Sequence, residues 1–73
     1  MFLHVGADTI IHFSKIISIM HYRDGLELNA KIIKILGGCP KSIIITKEDA
    51  EIVLFISPIA PVTLRKRFTS LAL

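Results

Sequence analysis

The stretch Glu51-Ile-Val-Leu-Phe-Ile-Ser-Pro-Ile-Ala-Pro-Val-Thr-Leu-Arg-Lys-Arg-Phe68 constrains the fold more than any other. It reads as an apolar strand that breaks at Ser57-Pro58 and restarts at Pro61 as a short basic helix. Proline suits a first helical position, because the N–H it lacks would have no partner there. Leu64, Phe68 and Leu71 then fall at i, i+4 and i+7 and form one apolar stripe. Arg65, Lys66 and Arg67 take the remaining arc. Such a helix can present cations to a polyanion, or simply to water.

At 73 residues the chain supports one domain, residues 1–73. A domain this small buries only about 60–65% of the surface that its unfolded chain exposes. Yet 52% of its residues are apolar and its mean hydropathy is +0.64. The apolar excess must face lipid, a partner or another copy. No apolar run approaches the ~18–20 residues that would span a bilayer. Asp8 interrupts the apolar start and no basic segment precedes it, so no signal peptide is expected. Self-association is the expected sink. The net charge of +3 and sequence pI near 9.4 permit a nucleic-acid partner without demanding one. The single cysteine, Cys39, excludes an intrachain disulfide framework and fits a reducing cytoplasm.

Along the chain, Phe2–Val5 and Thr9–Phe13 read as strands around a Gly6–Asp8 hairpin loop. Ile16–His21 follows, β-branched and apolar on both parities, so both of its faces should be covered. One cover is expected to be a helix and the other a neighbouring subunit. Leu28, Ile32, Ile35 and Leu36 have helical spacing, with a Glu27–Lys31 ion pair on the opposite side. Asp24 would cap that helix and Gly37-Gly38 would stop it. Ser42–Thr46 and Glu51–Ile56 are strands flanking a Lys47–Ala50 turn, and Thr69–Leu73 is a frayed tail. The expected order is β-β-β-α-β-β-α, an α+β domain with a mostly antiparallel sheet.

Catalytic and metal chemistry finds little support. His4, His12, His21 and Cys39 lack the C-x-x-C or H-x-x-x-H spacing of a metal site. A Cys39/His or Ser57/His pair lacks a nucleophile-elbow context. Glu48, Asp49 and Glu51 form a solvated turn, and no phosphate-cradling glycine motif occurs. Neither enzyme activity nor a cofactor or metal is expected. Basic residues remain. Lys15 lies at the mouth of the third strand and Lys41 at the mouth of the fourth. Arg23, Lys31, Lys34 and Lys47 are scattered, and Arg65 to Arg67 cluster. Each alone reads as a solvated charge. In a ring, each repeats in every subunit, and neutralisation of phosphates multiplies with subunit number.

Met1-Phe-Leu-His-Val-Gly6, Ser14-Lys-Ile-Ile-Ser-Ile19, Val53-Leu-Phe-Ile-Ser-Pro58 and Pro61-Val-Thr-Leu-Arg-Lys-Arg67 together resemble the bacterial extracellular matrix regulators, the RemA/RemB family. The resemblance covers Met1 to Phe68 and is strongest to the RemB branch. It implies a fold related to LytTR-type DNA-binding domains and a homo-oligomeric ring, with an octamer one candidate size. It further implies double-stranded DNA bound along that ring and control of transcription of biofilm-matrix genes. In the RemA branch a basic residue before the third strand and an arginine pair before the fourth serve DNA. Lys15 matches the first. Cys39-Pro40-Lys41 stands in place of the pair, so only Lys41 carries that role, and the middle segment differs as well.

The sequence therefore leads to a cytoplasmic, non-enzymatic, ring-forming DNA-binding regulator with no membrane partner. Lys15 and Lys41 are its expected phosphate contacts, with Arg65, Lys66 and Arg67 as weaker candidates. Arg67 could equally bond carbonyls at the helix end. Two rivals stand beside this reading: an oligomeric protein-interaction scaffold without DNA, and a small regulatory subunit of a larger enzyme.

Overall fold

The Ser57-Pro58 break is where the structure turns a sheet into a helix. The computed structural model describes Met1 to Ala72, with side chains through Ser70. Strands β1 (Phe2–Gly6) and β2 (Thr9–His12) form a hairpin, and a 3-10 turn, Phe13–Lys15, leads into β3 (Ile16–His21). Then come β4 (Ile32–Ile35), β5 (Ser42–Glu48), β6 (Glu51–Ser57) and helix α1 (Pro61–Ala72). The hairpin stands as its own two-stranded sheet, and the main sheet has the order β3-β5-β6-β4. The β3–β5 and β5–β6 pairs are antiparallel, and β4 runs parallel to β6. This is a small single α+β domain with mostly antiparallel strands and one helix.

The expected middle helix is absent, and this is the main correction. Ile32–Ile35 is a strand, and the Glu27–Lys31 pair does not form. Two forces override the helical spacing. Ile32, Ile33 and Ile35 are β-branched and stiff in a helix. Without β4, moreover, β6 would leave a row of backbone groups unpaired at the edge of the core. The four apolar residues that helical spacing placed on one stripe go to different sides of the sheet. Ile32 and Leu36 pack into the helix-side core, while Leu28 packs on the opposite face.

The alternating pattern of the strands sorts the rest. Ile19, Ile44, Val53 and Phe55 face the helix side, where Leu3, Val5, Ile11 and Leu64 complete the larger core. Ile43, Leu54 and Ile56 face the other way, under the connection from β3 to β4, whose Tyr22, Leu28 and Ala30 lie over them. The second face of β6 is thus covered by the chain's own crossover segment. On β3 that face stays more open, with Met20 40% exposed. Leu64 is fully buried, and its truncation to alanine should cost about 2–5 kcal/mol.

Turns fall close to expectation. Ala7 (φ 48°) and Asp8 (φ 57°) carry the hairpin in the left-handed conformation that matches strand twist. The β5–β6 turn is tighter than expected, because Lys47 and Glu48 belong to β5. Helix α1 continues to Ala72, past the expected fray after Phe68, and Leu73 lies outside the described residues.

Pro58 does more than break a strand. A methyl group added at Gly6 would lie 3.2 Å from its ring, and one at Gly38 would lie 3.0 Å away. The ring is therefore wedged between the hairpin and the turn leading into β5. Buried Ser57 donates to Val5 O at 2.6 Å and accepts from the Ile59 N–H at 3.1 Å. The buried hydroxyls of Ser42 and Thr46 donate to Ile59 O and Val53 O. No described buried side-chain polar atom lacks a partner.

Candidate nucleic-acid interface

Lys15 closes the 3-10 turn. His12 organises that turn: the Ser14 N–H donates to His12 Nδ1 at 3.2 Å, and the Ser14 hydroxyl lies 2.6 Å from the same nitrogen. Lys15 Nζ then reaches Glu48 Oε1 at 3.5 Å, with both side chains roughly half exposed. An exposed pair of this kind is worth only about 0.2–1 kcal/mol. A phosphate can therefore compete with Glu48 for Lys15 at small cost.

Lys41 is fixed by its backbone. Its N–H donates to Ser57 O at 2.9 Å, and its carbonyl accepts from the Tyr22 N–H at 3.0 Å. Its exposed side chain has no hydrogen-bond or ion-pair partner among the described residues. The register separates the two lysines. Ile16 is opposite Thr46, and His21 is opposite Ser42. Lys15 and Lys41 therefore lie at opposite ends of the β3–β5 ladder, roughly 17–20 Å apart along the strands. They do not form one cluster within a single chain.

The helix cations divide by role. Arg65 Nη2 donates to Ile19 O at 2.8 Å, and Arg67 Nη1 donates to His4 O at 3.1 Å. Both guanidiniums tie α1 to strands, β3 and β1 respectively. Arg67 bonds a strand carbonyl, not the helix-end carbonyls. Each keeps further N–H donors free for a second partner. Lys66 is exposed between them, with no partner among the described residues.

Sequence reading missed Arg23 and His21 as members of this region. Lys41 lies beside the Tyr22 backbone, and both neighbours of Tyr22 are basic side chains. His21, Arg23 and Arg65 also line one shallow depression with Met20 and Leu26. Arg65 at the middle of β3 and Arg23 just beyond its end thus share one side of the strand, while Lys15, at its start, leans toward Glu48 on the neighbouring β5. Only the strand register makes this arrangement visible. Strand assignments were already legible, and pairing Ser42 with His21 would have revealed it.

Other candidate groups take ordinary places. The Ser57 hydroxyl is fully buried and engaged with backbone, which leaves it no access to a substrate. Cys39 is exposed as a free thiol. No three His, Cys, Asp or Glu side chains converge among the described residues. No described helix is long and apolar enough to cross a membrane.

No known protein family, curated protein or solved structure matches this chain.

Proposed function

We propose that this chain is a non-enzymatic DNA-binding regulator that acts as a homo-oligomer, in the manner of the matrix regulators its motifs resemble. The observation that carries this reading is the succession of cations along the length of β3. Lys15, Arg65 and Arg23 follow the strand, and Lys41 lies at the same end as Arg23. From Lys15 to His21 the line spans about 20 Å, or five to six base steps of duplex. Among the described residues, only Lys15 of these cations has an acidic side chain within ion-pair distance. Lysine is a point charge without the bidentate fork that reads guanine. The Lys15 and Lys41 contacts are accordingly to phosphate, and recognition through them is weakly sequence-specific. Repetition of the line around a ring would give the avidity that one chain's modest charge lacks. On this reading the protein works in the cytoplasm on biofilm-matrix genes, needs no cofactor, and uses Lys66 and Arg67 as peripheral phosphate contacts.

The test is a gel shift on long duplex DNA at two salt concentrations, with native mass measured on the same sample. Binding should weaken steeply with salt and should affect unrelated sequences alike. A parent chain that shows no salt-sensitive retention sinks the DNA reading. The protein-scaffold reading would then take its place. Its support is the apolar open side of the main sheet, where Met20, Ile33 and Ile52 are each about two-fifths exposed.

A further inference from the structure

The main sheet has two outer edges, and they are treated differently. At β3, Arg65 reaches past the edge and occupies the Ile19 carbonyl. The strand is also irregular between Ile16 and Ser18. Both features obstruct the addition of another strand. At β4 the hydrogen-bonded neighbour on one side is β6, and no described strand follows on the other. No described side chain bonds the backbone of this strand. Ile35 is 73% exposed, the highest value among the described large apolar side chains, and Ile33 is 41% exposed.

An open edge needs a strand as its partner. Lysines normally protect such edges, but Lys34 is drawn inward, its Nζ 5.6 Å from the Phe55 ring centroid. Its ammonium is not offered to an acidic strand. What the edge presents is apolar and matches itself. Because β3 is obstructed, the main sheet of a second copy can offer only its own β4. We propose that β4 pairs antiparallel with β4 of a second copy about a two-fold axis at Ile33. Two four-stranded sheets then become one.

Charge and strand length select that register. An axis at Lys34 would set two ammonium groups directly opposite, which is destabilising. An axis at Ile35 would leave only one residue of the four-residue strand facing a strand residue of its partner. With the axis at Ile33, three do so: Ile33 faces its own copy, and Lys34 faces Ile32. Ile33 and Ile35 also lie on the same face as Leu54 and Ile56, so the apolar stripe continues from one sheet to the next. This is an isologous contact, so any larger assembly built from it holds an even number of chains. The proposal rests on the self-association in the reading above, and not on DNA binding.

Cross-linking tests it. In a Cys39→Ser background, Ile33→Cys places two thiols across the axis. Opposed Cα atoms in an antiparallel pair are about 4.5–5.5 Å apart, within the range that a disulfide spans. Ile35→Cys places its two thiols about 13 Å apart along the strands. Mild oxidation should give a covalent dimer at least tenfold faster for Ile33→Cys than for Ile35→Cys. Equal rates, or a faster Ile35→Cys, overturn the register. Absence of the Ile33→Cys cross-link, with native mass still a multiple of 8.1 kDa, overturns β4 pairing while self-association stands. A monomeric parent by light scattering overturns both. Amide exchange on the unsubstituted chain gives a reading that does not depend on a variant folding. The β4 amides that point away from β6 should be protected, and random-coil exchange there also overturns the proposal.

Discussion

The β3 and β4 edges belong to one sheet, yet they face the outside in opposite ways. The β3 edge is flanked by Arg65 and Arg23, with Lys15 at the start of the strand, and a guanidinium holds one of its carbonyls. The β4 edge is four residues long, isoleucine-rich and uncapped. What lies alongside each strand makes the difference. Helix α1 runs beside β3 and supplies Arg65, whereas no element of the described chain continues past β4. A helix of twelve residues has decided which edge is polar and which is apolar.

The sharpest break in this comparison is electrostatic. Lys15→Ala combined with Lys41→Ala should weaken DNA binding about thirtyfold at ~150 mM salt. It should flatten the plot of log K against log salt by about 0.9 per lost contact in each engaged chain. Native mass should not change. Lys47→Ala, in β5, is the control and should do little. If the double variant binds like the parent, the polar edge has been assigned wrongly.

Next in size is the apolar edge. Ile33→Lys brings two ammonium groups together at the proposed axis and should raise the self-association constant for dissociation by tenfold or more, on the order of 1.4 kcal/mol. Sedimentation at micromolar concentration would read it. DNA binding by each chain should persist at low salt. An unchanged mass distribution would detach β4 from assembly.

Arg65→Met probes whether the polar edge is actively kept shut. Losing one partly buried charge-assisted hydrogen bond of about 1.5 kcal/mol should lower Tm by roughly 6–12 °C. The uncapped β3 should also scatter more light as concentration rises. A variant with unchanged Tm and scattering would reduce Arg65 to a phosphate contact only. The smallest effect belongs to Glu48→Gln. It frees Lys15 and should tighten DNA binding about two- to threefold, within the worth of an exposed ion pair. Weaker binding in that variant would mean that Glu48 positions Lys15 instead of competing for it.

The strands were legible because their signals are local. β-branched runs bounded by Gly6, Asp8, Ser14 and Pro58 placed β1, β2, β3, β5 and β6 to within a few residues. The Pro61 start of the helix was legible for the same reason. β4 was not, because Leu28, Ile32, Ile35 and Leu36 fit a helical period, which β-branching together with the need of β6 for a parallel neighbour overrides. The site was legible in part. Lys15 and Lys41 do precede their strands, but the sequence held no sign that they lie at opposite ends of one ladder. Nor did it reveal that Arg65 and Arg67 bond strand carbonyls, since those partners are 46 and 63 residues away. Long-range pairing, more than residue type, separates what was visible from what was not.

The wedge of Pro58 between Gly6 and Gly38 has a consequence for how the molecule opens. Pro58 follows directly on β6, Gly6 ends β1, and Gly38 belongs to the turn into β5. The hairpin forms no ladder with the main sheet and, without further ties, would fray on its own. With a rigid ring lodged against it and Ser57 bonded to Val5 O, it cannot swing away unless the end of β6 also loosens. Hairpin and sheet therefore share one opening transition. Amides in β1 and β2 should exchange with the same free energy as those in β5 and β6, as parts of a single cooperative unit.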